Sequence, residues 1–314
     1  MREWYPVVPF LIVALLLTPF RIDAGPYAGA FRLAPEGAVN WYFDTTALLR
    51  MRRLPLAETR AYLNAYLAHL DPEGGIADVL PMPTGIYAPI APDSDDAYAG
   101  TILALAARYR LEAHDNAWWQ ASVSTLSSIA YAKLLTQFKP NGLIRASKTD
   151  DTGYLMDNVE DYDGLRAFAS ALTLTHAADA AYVRGFVAPL GNAIEELYDE
   201  SAHAFRWSDS DPLGPLVPYP ACEAQLFPQL FSVTTGHLGR DLDHWAGARQ
   251  TAARCHFSLD TGPHEALLYA LYISGLAAPS SSERAFVTQV RAHAPVGGDL
   301  VTIALLDALG LPQR

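Results

Sequence analysis

Tyr154-Leu155-Met156-Asp157-Asn158-Val159-Glu160-Asp161-Tyr162-Asp163-Gly164-Leu165-Arg166 packs four carboxylates into seven residues. The segment then turns apolar at helical spacing, through Tyr162, Leu165, Ala169 and Leu172, which predicts an amphipathic helix. On that helix Asp157 and Asp161 are four apart and share a face, while Glu160 and Asp163 point elsewhere. Like charges at this spacing cost only a few tenths of a kcal/mol. The run reads either as an acidic first turn favoured by the helix dipole or as a carboxylate set lining a polar cleft.

The same helical period recurs on both sides. Helices are predicted over 40–53, 56–70, 93–111, 115–138, 178–200, 222–233, 240–255, 263–275, 282–292 and 298–309, with Pro and Gly breaks between them. Leu54-Pro55 divides the first pair into a hairpin, Pro140-Asn141-Gly142 divides later ones, and residues 76–92, with four prolines, read as a long loop. No stretch shows sustained alternation of apolar and polar residues, so no sheet is expected. Pairs return at roughly fifty residues, the mark of an array of helical hairpins. The acidic and aromatic residues gather in loops and at helix starts, where a closed ring exposes a cleft. A ring is therefore expected over an open solenoid, and with it an all-α chain.

The chain has 314 residues and a net charge of −12. No basic patch suits phosphate binding, so nucleic acid is not an expected partner. The run from Val7 to Phe20 is almost wholly apolar, of signal-peptide length and short for a membrane span. Residues 1–24 read as an export signal cut after Ala24, or as an uncleaved N-terminal anchor. Residues 25–38 read as a loop or arm, and residues 39–314 as the helical domain. Either reading of the start places the body in the periplasm or outside the cell, free or held at a membrane. In an oxidising compartment Cys222 and Cys255 either pair or remain two buried thiols. No motif for a metal or cofactor occurs, and neither is expected; G-x-S-x-G, Walker A and HExxH patterns are absent.

A second acidic group is Asp93-Ser94-Asp95-Asp96-Ala97-Tyr98-Ala99. Asp93 suits a helix N-cap, leaving Asp95 and Asp96 in the first turn, where close carboxylates push up one another's pKa and the dipole opposes that rise. Acids on two separate hairpins suit glycoside hydrolysis. One protonated carboxyl donates to the leaving oxygen, and one carboxylate activates water or attacks the sugar. Trp41, Tyr42, Tyr87, Tyr98, Tyr154, Trp207 and Tyr219 lie in or near the loops as stacking surfaces for sugar rings. His264-Glu265, at a helix start, is a further candidate for the cleft rim.

Three segments carry a resemblance to the six-hairpin glycosidase superfamily, the (α/α)6 toroids. They are Asp93 to Ala99, Asn141 to Ile144 running on to Met156 to Leu165, and Tyr219-Pro220-Ala221-Cys222-Glu223-Ala224-Gln225-Leu226-Phe227-Pro228. The resemblance spans most of residues 39–310. It implies a toroid with a cleft at the inner-helix N-termini and an oligo- or polysaccharide ligand. It implies Asp95 or Asp96 as general acid and Asp157 as general base, with Trp41, Asp93, Tyr98, Tyr154, Asn158, Glu160, Asp161, Trp207, Tyr219, Glu223 and Gln225 contacting substrate. It also implies an Asp where Ala221 stands, and Glu223 is the neighbouring acid. Two other readings stand beside this one. The toroid is a non-catalytic carbohydrate-binding protein of a polysaccharide secretion system, or Asp93-x-Asp95-Asp96, which resembles the acid motif of class II terpene cyclases, protonates an alkene or epoxide through Asp95.

Overall fold

The computed structural model describes residues 17–82, 86–92, 94–260, 262–295 and 297–311. Most of the expected export signal and Asp93 lie outside the described residues. Eleven complete α-helices follow in chain order. The first, α1 (Trp41–Arg50), starts where the Asn40 side chain accepts from the Phe43 N–H at 2.8 Å. Leu54-Pro55 turns the chain into α2 (Leu56–Ala68). The long helix α3 (Asp95–Ala113) is capped by Ser94, not by Asp93, and ends on His114 in the left-handed region at φ 53°.

Asp115 caps α4 (Asn116–Ile129) through the Trp118 N–H, and the helix widens into a π-helical stretch at Ala130–Leu135. Next come α5 (Leu155–Leu172), which holds the acidic run, and α6 (Ala177–Glu195). The helix expected over 222–233 is only partly formed. A wide turn at Pro218–Cys222 leads to the single-turn α7 (Phe227–Leu230), because prolines at 218, 220 and 228 each remove a backbone donor. Then follow α8 (Leu238–Ala252), α9 (Pro263–Gly275), α10 (Ser281–His293) and α11 (Leu300–Ala308). A capping box between Ser280 and Glu283 opens α10, and Asp299 caps α11.

The expectation of no sheet is corrected in two places. Within the loop over 76–92, β1 (Asp78–Pro81) pairs antiparallel with β2 (Tyr87–Ile90), Asp78 lying opposite Ile90. A minimal ladder joins β3 (Tyr198–Asp199) to β4 (Ala204–Phe205). Strands of four and two residues are too short to show a period, and prolines at both ends of the first pair mask it further.

The helices close into a toroid. Side by side, α1, α3 and α5 pack in sequence, α7 joins α5, α9 packs on α11, and α11 packs back on α1. The Tyr272 hydroxyl of α9 donates to Gln229 of α7 at 2.6 Å, completing the inner circle. The other helices form the outer layer, α6 against α5 and α10 against α9. Trp41, Tyr62, Tyr66, Trp119 and Phe168 are fully buried between the layers.

The tightest crossing is between α3 and α5. A Cβ on Gly164 would lie 2.2 Å from the Gly100 carbonyl oxygen, and one on Gly100 would lie 2.5 Å from an Asp161 carboxyl oxygen. Only two glycines let these backbones meet. Gly164→Ala is expected to lower stability by about 2 kcal/mol or more, through overpacking against backbone that has nowhere to move. Urea unfolding of the purified chain measures this, and an unchanged midpoint would contradict the crossing.

Candidate active site

The N-terminal ends of the inner helices open into a cleft of about 640 Å³. Every inner element contributes to its wall: Tyr42, Phe43, Thr46 and Arg50 from α1, Ser94, Ala97 and Tyr98 at α3, and Tyr154, Met156 and Asp157 at α5. Trp207, Tyr219, Pro220, Glu223 and Phe227 close one side, and His264, Glu265, Leu268, Val301 and Leu305 the other. Tyr154 and Trp207 stack at 5.7 Å with planes 13° apart, held in register by the Leu155 N–H donating to the Trp207 carbonyl at 2.8 Å. They form an aromatic plate, with Tyr219 exposed at the rim.

Among the described residues, three carboxyl groups face the cleft: Asp157, Glu223 and Glu265. Burial raises the Glu223 carboxyl to about 7, reinforced by Glu265 and opposed by Arg50 and His264. Glu223 is therefore close to half protonated at neutral pH. His264 is itself held up by Asp299, whose carboxylate lies 2.9 Å from Nε2. The turn that carries Glu223 is tied down by a disulfide from Cys222 to Cys255, with Cα atoms 6.1 Å apart. Of the two states open for these cysteines, the structure takes the paired one.

Beneath the cleft floor lies a second layer of acids. Asp161 is 0 % exposed against Gly100, and Asp96 is 0 % exposed beside it. Ser94 Oγ donates to Asp96 Oδ1 at 2.5 Å, and the Ala97 N–H adds a bond at 2.9 Å. Burial pushes both carboxyls well above the usual range; Asp157 raises Asp96 further, and Asp96 and then Asp157 raise Asp161 further. Glu160 is also buried and raised, first by burial and then by Asp157. Its Oε1 accepts from the Tyr42 hydroxyl at 3.1 Å.

The structure sorts the residues expected at the site. Asp157, Tyr98, Tyr154, Trp207, Tyr219 and Glu223 line the cleft. Asp95 does not. Lys133 Nζ sits 3.1 Å from its carboxylate at a minor crevice shared with Gln137 and Lys148, so the structure places it outside the cleft in which a proton donor, glycosidic or cyclising, is expected. Asp96 and Asp161 lie beneath the cleft and not in its wall. Trp41 is buried, its indole N–H donating to the Ala77 carbonyl at 3.0 Å, so it is core and offers no stacking face. Asn158 is buried and holds the Ile144 backbone through both its amide atoms. Gln225 does the same for Phe205. Both are removed from the contact set, because a fully paired buried amide has nothing left for a ligand.

Arg50 and Phe43 were not singled out in the sequence, where each reads as an ordinary surface position of an amphipathic helix. No local signal marks them, since it is ring closure that turns this face of α1 inward.

Known proteins add one likeness. The chain matches no family model and no curated protein at a significant level. Among solved structures it is similar to a rhamnosidase from Klebsiella oxytoca with rhamnose bound, at 14 % sequence identity and a TM-score of 0.64. The match covers 97 % of this chain and 64 % of the rhamnosidase. At that identity the likeness establishes the fold, an all-α toroid of helical hairpins.

The Asp96–Asp161 pair makes stability depend on pH. Both folded-state pKa values are raised, so the pair's contribution is full below the unfolded value of about 4 and is lost as pH rises toward the folded values. Asp161→Asn removes one of the two ionisations and keeps a donor for Asp96. Its stability relative to the parent chain is expected to be about 1 kcal/mol or more higher at pH 8 than at pH 5. Unfolding midpoints at the two pH values decide this, and equal differences would contradict the pairing.

Proposed function

We propose that the protein is an exported glycoside hydrolase acting on an oligo- or polysaccharide by carboxylate acid–base catalysis. One observation carries the reading: a carboxyl raised to about 7, Glu223, shares an aromatic-walled cleft with Asp157, which stands on a different inner element. The rhamnose-bound rhamnosidase of similar fold supports a sugar as ligand. The disulfide supports an oxidising compartment, periplasmic or extracellular.

In this mechanism the sugar ring lies on the Tyr154–Trp207 plate, and Tyr219 contacts it at the rim. Glu223, protonated, donates to the glycosidic oxygen as the bond to the anomeric carbon breaks. Asp157 accepts the proton of the water that adds there. Burial keeps the proton on Glu223, Arg50 opposes it, and Glu265 adds to the effect of burial. Asp96 and Asp161 lie beneath the cleft, behind Asp157, at the crossing of α3 and α5.

A non-catalytic carbohydrate-binding role is the competing reading. It is favoured by Ala221, a buried side chain standing where the resemblance implies an acid.

Glu223→Gln and Asp157→Asn are each expected to cut reducing-end release from a responsive polysaccharide by about a hundredfold or more, with binding retained. The parent kcat/KM is expected to fall as pH rises through about 7, because Glu223 must hold its proton. Polysaccharide affinity without any released ends, at high protein concentration, would decide for the binding role.

A further inference from the structure

One cation of the cleft wall stands apart from every carboxylate. Arg50 lines the cleft from the last turn of α1 and is half-buried there. Among the described residues its guanidinium makes no hydrogen bond and has no carboxylate within 4.0 Å. A cation suits the C-terminal end of a helix, but the carbonyls at that end are already taken. Arg108 of α3 donates to those of Leu49 and Met51 at 2.6 and 2.7 Å. The capping of α1 therefore makes no demand on Arg50.

The charges around it have other partners. In the cleft, His264 Nε2 lies 2.9 Å from the Asp299 carboxylate. The Glu265 carboxyl turns back over the start of its own helix α9, where a Cβ on Gly262 would lie 2.6 Å from Oε2. Thr46, Arg50 and Leu268 border both the cleft and a second cavity of about 540 Å³. The ionisable groups lining that cavity are also engaged elsewhere. Asp163 pairs with Arg166 at 2.6 Å, Arg108 with Glu112 at 2.7 Å, and Arg52 lies 4.0 Å from Asp307. Glu160 accepts from the Tyr42 hydroxyl on Oε1, and its buried Oε2 has no partner among the described residues, so Arg50 does not reach it.

A guanidinium in this position is a ready site for an anion, because burying it without a counter-charge is costly. Its planar fork of donors matches a carboxylate bidentately. The surroundings say what carries that carboxylate. The Tyr154–Trp207 plate offers a flat face to a sugar ring, which leaves the ring's edge for polar contacts. Arg50 acts on Glu223, so an anion held by Arg50 lies beside the bond that Glu223 serves. A single cation matches a single charge. A run of charged sugars would meet Asp157 and Glu265 in the same wall, on a chain whose net charge is −12, and like charges oppose such binding.

We propose that the substrate carries an isolated uronic acid among neutral sugars, and that Arg50 selects it by pairing with the sugar carboxylate next to the bond that is cut. The inference rests on the reading of the cleft as a sugar site and names the class of sugar. It also gives the pair a second effect. Arg50 opposes the proton on Glu223, and a bound carboxylate offsets that opposition.

The test uses the full chain and ligands too small for linkage to matter. Sodium glucuronate, galacturonate and mannuronate are titrated by calorimetry, each beside its methyl ester and the matching neutral hexose, with glucose 6-sulfate as a further anion. At least one uronate is expected to bind about tenfold or more tightly than its ester and its hexose. Arg50→Met is expected to abolish that difference, and Arg50→Lys, which keeps the charge without the fork, to retain only part of it.

Equal affinity for uronate, ester and hexose in the parent chain overturns the inference, whether or not a variant folds, and so does failure of every uronate to bind. Tighter binding of glucose 6-sulfate than of any uronate overturns the choice of carboxylate. A preference that persists in Arg50→Met overturns the role of Arg50. The hydrolase reading is judged separately, by ends released from polysaccharides. A uronate preference without released ends keeps this inference and decides for the binding role, whereas released ends without a uronate preference do the reverse.

Discussion

The backbone contact between Gly100 and Gly164 is the constraint from which the site follows. Two helices of this length are usually separated by their side chains at 8–10 Å. Here α3 and α5 meet without any, and the closeness sets what lies on either side. Asp161 is pressed onto Gly100 and must share its surroundings with Asp96. One helical turn toward the N-terminus, Asp157 emerges at the cleft. The acidic run thus divides by depth within a single turn, the outer carboxyl facing solvent and the inner one closed off.

Magnitudes explain why such a pair is tolerable. Repulsion between acids four apart on an exposed helix amounts to a few tenths of a kcal/mol, whereas burying an ion costs several. Burial is the larger effect and is relieved by retaining protons. The buried layer of Asp96, Asp161 and Glu160 is thereby pushed toward the protonated form, although the sequence counts each as a charge. It also leaves Asp157 as the carboxylate whose field is felt by all three. Arg50, in the last turn of α1, lowers both Glu160 and Glu223 against the rise that burial causes.

Much of the helix pattern was legible because helical period and proline breaks are local signals. The long loop over 76–92 and the turn before α7 were less so, since strands of four residues and a wide turn leave no period to read. The site was legible by half. Asp157, Glu223, Tyr154, Trp207 and Tyr219, singled out from motif and loop placement, line the cleft. Asn158 and Gln225 sit in the same motifs and look identical as sequence, yet they bond to backbone, a role visible only once Ile144 and Phe205 are in place. Asp95 and Asp96 are adjacent in the chain and face opposite ways, one to Lys133 and one to the core, because neighbouring helix positions differ by about 100°. Which of the two faced the ring depended on α5, far along the sequence.

The seam where α11 meets α1 has a consequence for how the chain reaches this shape. The two partners of that seam come from opposite ends of the sequence, so the circle can be completed only after nearly all of the chain is available. Until then one apolar edge of the first hairpin has no neighbour. Contacts of such long sequence separation slow folding, and an unpaired apolar edge invites association with other chains. Synthesis from the N-terminus leaves that edge waiting longest, which makes the last nine-residue helix the keystone of the circle and its loss by truncation more damaging than its length suggests.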